Sequence, residues 1–212
     1  MAIALIPFSR QQTHHILLEG VTWATYQAVL QDLGEHRASR FAYEGGMLEI
    51  IMPSDINEFI NRILEAIVRA LTEELNLQLR GYGSTTLDLE DLAQGVEPDS
   101  CFYIQSVNRI IGKKLNIQTD PPPDLVIEVY IASSSKRRSG IYLRLGIPEV
   151  WRYTQQRGVV IYQLQNGEYA ECEFSPTFSM ISGAVLGQFL QRAETEDDNS
   201  VIRALRQWLS QI

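Results

Sequence analysis

The sequence predicts one α/β domain built on a mixed β-sheet, and three observations carry that expectation. Pro121-Pro122-Pro123 ends whatever precedes it and opens Asp124-Leu125-Val126-Ile127-Glu128-Val129, a branched apolar run of the length of a strand buried on both faces. Between Ser54 and Leu75, Ile56, Ile60, Ile63, Leu64, Ile67 and Leu71 recur on one stripe of a 3.6-residue period. Short strand-like runs elsewhere are joined by turns such as Glu44-Gly45-Gly46 and Gln165-Asn166-Gly167, which are hairpin signals.

In order along the chain, residues 1–15 form a weak lead with a polar end. A helix follows over Val21–Leu33, with Thr22 as N-cap and Trp23, Tyr26, Val29, Leu30 and Leu33 on one side. Phe41–Tyr43 and Met47–Ile51 make a hairpin that Pro53 ends. Ser54 or Asp55 then caps the long helix, which runs to about Leu75. Leu77–Arg80 and Thr85–Leu89 read as short strands, Ser100–Ile104 as another, and Ser106–Asp120 as a polar loop. Ser133-Ser134-Ser135 offers caps for a helix carrying Ile141, Tyr142 and Leu145, which stops at Gly146 and Pro148. Strands over Glu149–Tyr153, Val159–Leu164 and Tyr169–Phe174 follow, with Trp151 and Tyr153 expected in the core. Helices over Gly183–Arg192 and Asn199–Leu209 close the domain, which is expected to span residues 1–212.

Composition narrows the function. At 212 residues, with 45% apolar and 21% charged residues, the chain has an ordinary soluble make-up and enough length for a core. No apolar run has membrane-spanning length, and Met1–Phe8 lacks the pattern of a signal peptide. Cys101 and Cys172 alone make neither a disulfide framework nor a zinc spacing, so a cytoplasmic protein is expected. The net charge of −8 argues against broad electrostatic attraction to nucleic acid but leaves room for a local basic strip. Lys136-Arg137-Arg138, with Arg144 beyond, is the densest positive cluster; it is read either as such a strip or as solvated surface.

One acid on a buried strand is costly unless it is paired or holds a metal, so Glu128 draws attention. Asp124 lies on the same side of that strand but roughly 13 Å away, too far to share an ion. Asp99, at the start of the preceding strand, would lie about 5 Å from Glu128 if the two strands are neighbours. Two carboxylates, with the Val129 carbonyl and water, suit magnesium, which in phosphodiester hydrolysis activates water and neutralises phosphate charge. The competing reading has Asp99 capping a turn after Pro98 and Glu128 ion-paired with an arginine. Glu58 falls opposite the apolar stripe of its helix, so periodicity makes it a solvent residue. His14, His15 and His36 sit in lead and loop sequence and are not expected to bind metal.

Glu97-Pro98-Asp99, Pro123-Asp124-Leu125-Val126-Ile127-Glu128-Val129, Ile141-Tyr142 and Gly146-Ile147-Pro148-Glu149-Val150-Trp151-Arg152-Tyr153 together resemble a known pattern. It is that of the putative restriction endonuclease family once catalogued only as a domain of unknown function, abundant in cyanobacteria and part of the PD-(D/E)XK nuclease superfamily. The similarity extends from about Val21 to Leu190 and includes Leu48–Pro53 and Gly83–Thr86. The resemblance implies a restriction-endonuclease-like core, a central mixed sheet flanked by helices, and Mg²⁺- or Mn²⁺-dependent cleavage of DNA. Carried over by position, Asp99 and Glu128 are the metal-binding acids and Glu58 the helix glutamate. A homodimer is expected, because cutting both strands of a duplex suits two sites related by a dyad.

The sequence departs from that pattern in three places. Tyr130 stands at the lysine position of the E-X-K element. Arg138 stands at the alternative lysine position, four residues before Tyr142; it keeps the charge but cannot act as a base, and Lys136 is the substitute nearest in sequence. Asn57 replaces the histidine that commonly precedes the helix glutamate. The expected catalytic set is therefore Glu58, Asp99, Glu128, Arg138 and Lys136. The alternative is a catalytically impaired, nuclease-shaped binding or regulatory protein.

Overall fold

The computed structural model describes residues 13–34, 38–130 and 136–212. Among them the strands divide into two sheets. The larger is mixed, with order β11-β10-β9-β8-β7-β4, and contains β4 (Arg80–Tyr82), β7 (Ser100–Tyr103), β8 (Leu125–Tyr130), β9 (Glu149–Thr154), β10 (Gly158–Gln165) and β11 (Glu168–Cys172). Only β8 and β9 run parallel, joined through α3 (Lys136–Leu145). The smaller sheet, β1-β3-β2-β6-β5, is antiparallel throughout and contains β1 (His14–Leu18), β2 (Arg40–Glu44), β3 (Met47–Met52), β5 (Leu87–Leu89) and β6 (Gln94–Val96). Alternating side chains allot the faces. Leu125, Ile127, Val129 and Trp151 join the core against α2 (Asp55–Glu74), α4 (Gly183–Ala193) and α5 (Asp198–Leu209). Val126, Val150 and Cys101 face the other way, onto Ile141, Tyr142 and Leu145 of α3 and onto Ala42, Leu87 and Val96 of the smaller sheet. The outer face of that sheet is covered by α1 (Trp23–Leu33) through Tyr26, Phe41, Tyr43 and Leu48.

Local signals explain most of the boundaries. The Thr22 hydroxyl accepts the Thr25 N–H to start α1. Ser54 and Asn57 form a reciprocal capping box at α2. Asn166 and Gly167 take positive φ of 51° and 82°, the backbone of the tight hairpin between β10 and β11. Several expectations are corrected. Leu33 and Ile56 are 52% and 45% exposed although both lie on apolar stripes, because each sits at a helix end beyond the element that covers the rest. Leu77–Leu79 is not strand, and pairing begins at Arg80. The polar loop contains a 3₁₀ turn at Val107–Arg109. Two strands lacked an alternating signal: β6, broken by Gly95, and β1, whose residues are all exposed. Trp151 is fully buried as expected, whereas Tyr153 is only partly so. The expected Ser133–Ser135 caps and His36 lie outside the described residues.

Gly183, the first residue of α4, abuts β10 so closely that a Cβ there would lie 2.3 Å from the Val159 carbonyl oxygen. Gly183→Ala therefore cannot be absorbed by a side-chain rotation and must push α4 off the sheet. The expected cost is about 1–3 kcal/mol, read as a lower urea midpoint with unchanged slope.

Candidate active site

Asp99 and Glu128 come together through the register of β7 and β8. Ser100 pairs with Ile127 in an antiparallel ladder, so Asp99, one residue before β7, stands opposite Glu128. Ser100 turns toward α2, where its hydroxyl accepts from Asn61 Nδ2 at 2.9 Å; Asp99 therefore points to the opposite face, the one Glu128 occupies. Asp99 Oδ2 accepts the Val129 N–H at 2.7 Å, locking the two strands at the site. Glu97 prepares this position. Its carboxylate accepts the Phe41 N–H at 3.0 Å and the Thr86 hydroxyl at 2.6 Å, while its own N–H donates to the Phe41 carbonyl at 2.8 Å. Pro98 thus leaves the smaller sheet from a fixed point. Asp124 is engaged elsewhere, accepting the N–H groups of Ile104 and Ser106 at 2.6 and 3.0 Å.

Arg138 is the other half of the site. Only 1% exposed, it donates from Nε and Nη2 to Glu128 Oε1 at 3.2 and 3.0 Å, and from Nη2 to the Glu97 carbonyl. Its Nη1 lies 3.7 Å from Oε2 of Glu49, a buried acid on β3. The Tyr142 hydroxyl also donates to Glu128 Oε1. Tyr130, at the expected lysine position, is buried beside Glu128, and the Arg152 guanidinium lies 5.9 Å from its ring centre. Lys136 opens α3, but its side chain lies outside the described residues.

Glu58 is neither on the apolar core stripe nor simply in solvent. It is 38% exposed, and its Oε1 accepts from Arg40 Nη2 at 3.1 Å; Arg40 Nε lies 3.8 Å from Asp99 Oδ1. Arg40, 11% exposed, thus links Glu58 to the acid pair. Asn57 Nδ2 donates to the Val129 carbonyl at 2.8 Å, so the backbone oxygen expected as a metal ligand is hydrogen-bonded to the residue that replaces histidine. His15 Nε2 lies 2.9 Å from Glu49 Oε1. Sequence reasoning missed Arg40, Glu49 and Glu97. The alternation in Arg40-Phe41-Ala42-Tyr43 and Leu48-Glu49-Ile50 carried a signal, since each charge falls on the face opposite the aromatic or aliphatic residues beside it. The reading of Lys136-Arg137-Arg138 as solvated surface fails at Arg138, which the α3 crossover turns inward.

Electrostatics follow from burial. Loss of solvent, then the neighbouring Glu128 charge, raises the Asp99 pKa from 3.8 to about 7. Burial also raises Glu128, against the opposing pull of Arg138. Arg138 itself is raised, because the acids around it outweigh its desolvation. Among the described residues no three His, Cys, Asp or Glu side chains gather at metal-ligand spacing. The Asp99–Glu128 pair nevertheless fits a hard divalent cation, which takes oxygen donors and needs only one or two carboxylates. Such an ion would relieve the repulsion that raises Asp99.

The mixed sheet packed between helices is a fold of the restriction-endonuclease-like type. The sequence matches the Uma2 family, described as "Putative restriction endonuclease", over residues 23–193, and the chain belongs to that family. The fold is similar to the crystal structure of a putative nuclease belonging to DUF820 from Anabaena variabilis, with a TM-score of 0.56 and 16% identity, covering 79% of this chain and 98% of that one. No curated protein matches the sequence. No helix among the described residues is long and apolar enough to cross a membrane.

Two outcomes follow from the charges. Asp99 is raised on folding, so between its unfolded pKa of 3.8 and its folded pKa of about 7 the native state binds more protons. Stability therefore falls as pH rises through that window. Asp99→Asn, melted in EDTA, should match the wild type near pH 4 and exceed it at pH 8, by about 2–4 °C in Tm for each kcal/mol relieved. Arg138→Ala leaves Glu128 buried without its counter-charge and should cost about 3–5 kcal/mol at neutral pH in urea unfolding.

Proposed function

We propose that the protein is a metal-dependent endonuclease that hydrolyses phosphodiester bonds in DNA, working as a cytoplasmic homodimer. The carrying observation is the placement of Asp99 and Glu128 opposite each other on one sheet face, with Arg138 bonded to one acid and Arg40 beside the other. Family membership supports the reading, and the Anabaena variabilis protein carries a nuclease description of its own. Asp99 and Glu128 are the residues that would hold Mg²⁺, or Mn²⁺ in its place. Bound there, the ion supplies Lewis-acid charge to the phosphate and a more acidic water. The chain's own residues do the rest. Arg138 opposes the burial that raises Glu128, and the Val129 N–H aims Asp99. Glu58, half-buried at the rim, is the carboxylate with the access to solvent that a water-orienting base needs.

A second reading has support from the contacts of Asn57 and Arg138. Asn57 occupies the Val129 carbonyl, and Arg138 is fixed by Glu128 and the Glu97 carbonyl, as suits a nuclease-shaped binding protein that no longer turns over.

Cleavage of plasmid and single-stranded DNA with Mg²⁺ or Mn²⁺ separates the two. The nuclease reading expects wild-type cutting that falls by about 10²–10³-fold or more in Asp99→Asn and in Glu128→Gln. It also expects a Mn²⁺-dependent rise in Tm that both variants lose. No cutting of any substrate, together with no calorimetric metal binding, leaves the binding protein.

A further inference from the structure

We propose that Arg40 is the residue that grips the backbone phosphate of the DNA strand at this site, a role that rests on the nuclease reading above. Among the described residues three guanidiniums approach the acid pair, and two are already committed. Arg138 is 1% exposed and spends Nε and Nη2 on Glu128 and the Glu97 carbonyl, so it neutralises charge without reaching a ligand. Arg152 also has a buried Nε without a hydrogen-bond partner, but its Nη2 donates to Ser139 Oγ at 2.5 Å and its guanidinium is stacked over the Tyr162 ring at 5.0 Å.

Arg40 differs in where it stands. It stands between Asp99, 9% exposed, and Glu58, 38% exposed, and so lies between the acid pair and solvent. Its Nε is buried yet has no hydrogen-bond partner, because Asp99 Oδ1 at 3.8 Å is beyond reach. A buried N–H left unpaired is costly, and here it lies on the same guanidinium as the Nη2 that Glu58 holds at 3.1 Å. Nε and Nη2 form the side-on fork with which arginine takes two oxygens of one phosphate. A phosphodiester entering beside Glu58 would satisfy Nε and displace Glu58 from Nη2, leaving that carboxylate facing the incoming strand. Arg40, 11% exposed against 1% for Arg138, thus supplies a cation nearer the rim than the sealed Arg138, where Tyr130 offers none.

The test uses fluorescein-labelled single- and double-stranded DNA with the full chain. Binding is followed by anisotropy in EDTA over a salt series, and cleavage is followed in Mn²⁺. Arg40→Ala should flatten the slope of log K against log salt by about one and lower cleavage by about 10²-fold or more. Arg40→Lys should keep the wild-type slope, because it keeps the charge, and recover only part of the cleavage, because it lacks the fork. Glu58→Gln, which releases Nη2, should bind DNA more tightly than the wild type. A folded Arg40→Ala with the wild-type slope, or a Glu58→Gln with unchanged affinity, overturns the role of Arg40. A wild type that binds DNA without ever cutting it overturns the nuclease reading while the slope still decides Arg40. A wild type that binds no DNA overturns both.

Discussion

The bond between the Arg138 guanidinium and Glu128, sealed from water, is the interaction on which the rest of the site depends. Glu128 sits in the middle of a strand buried on both faces, where an uncompensated carboxylate is not tolerated. Arg138 resolves that by coming from α3, which lies in the crossover between the parallel strands β8 and β9, so the crossover that builds the sheet also delivers the counter-charge. Its further contacts reach the Glu97 carbonyl and Glu49, which belong to the smaller sheet and its exit. One side chain therefore ties both sheets and the crossover helix together. Hydrophobic residues of similar volume in place of both Arg138 and Glu128 would be no worse for stability, whereas loss of one partner alone is costly. The ion pair fixes how the parts are oriented, not how tightly they hold.

The acid pair is a consequence of strand periodicity combined with one anchor. In β8 every second side chain from Val126 faces α3, which places Glu128 there along with Val126 and Tyr130. In the neighbouring strand the same alternation sends Cys101 and Asp99 to that face. The register between them is held from outside the ladder by Glu97, whose two oxygens bind the smaller sheet and Thr86. Displacement of β7 by one residue would turn Asp99 into the packed face of α2 and break the pair.

How much of this was legible in the sequence depended on whether a signal was local. The β8 run, the Ser54 cap and the Asn166-Gly167 turn follow from short-range pattern, whereas the opposition of Asp99 and Glu128 also needed β7 and β8 to be neighbours, which the sequence left open. The division of the strands into two sheets did not, since antiparallel pairs such as β2 with β6 are set by contacts about fifty residues apart. The reading of Glu58 from the helical wheel missed its partner, because Arg40 arrives from another element. Arg138 showed the limit most plainly: within Lys136-Arg137-Arg138 nothing local marks which cation turns inward. The reading in which Glu128 pairs with an arginine is met, since Oε1 of Glu128 takes the Arg138 guanidinium.

The departures at Tyr130 and Arg138 act together on proton handling. A guanidinium cannot release its proton near neutrality, and burial holds the Tyr130 phenol well above its ordinary range. Neither can accept a proton from water as a lysine could. What remains near neutral pH is Asp99, raised to about 7 by burial and by Glu128. In the proposed enzyme this makes proton and cation competitors for one carboxylate: protonation removes the charge a divalent ion needs, and the ion displaces the proton. Cation affinity then rises with pH through the neutral range. The charge that the family pattern assigns to a lysine is kept in this chain, while control over when the site is ionised passes to the aspartate.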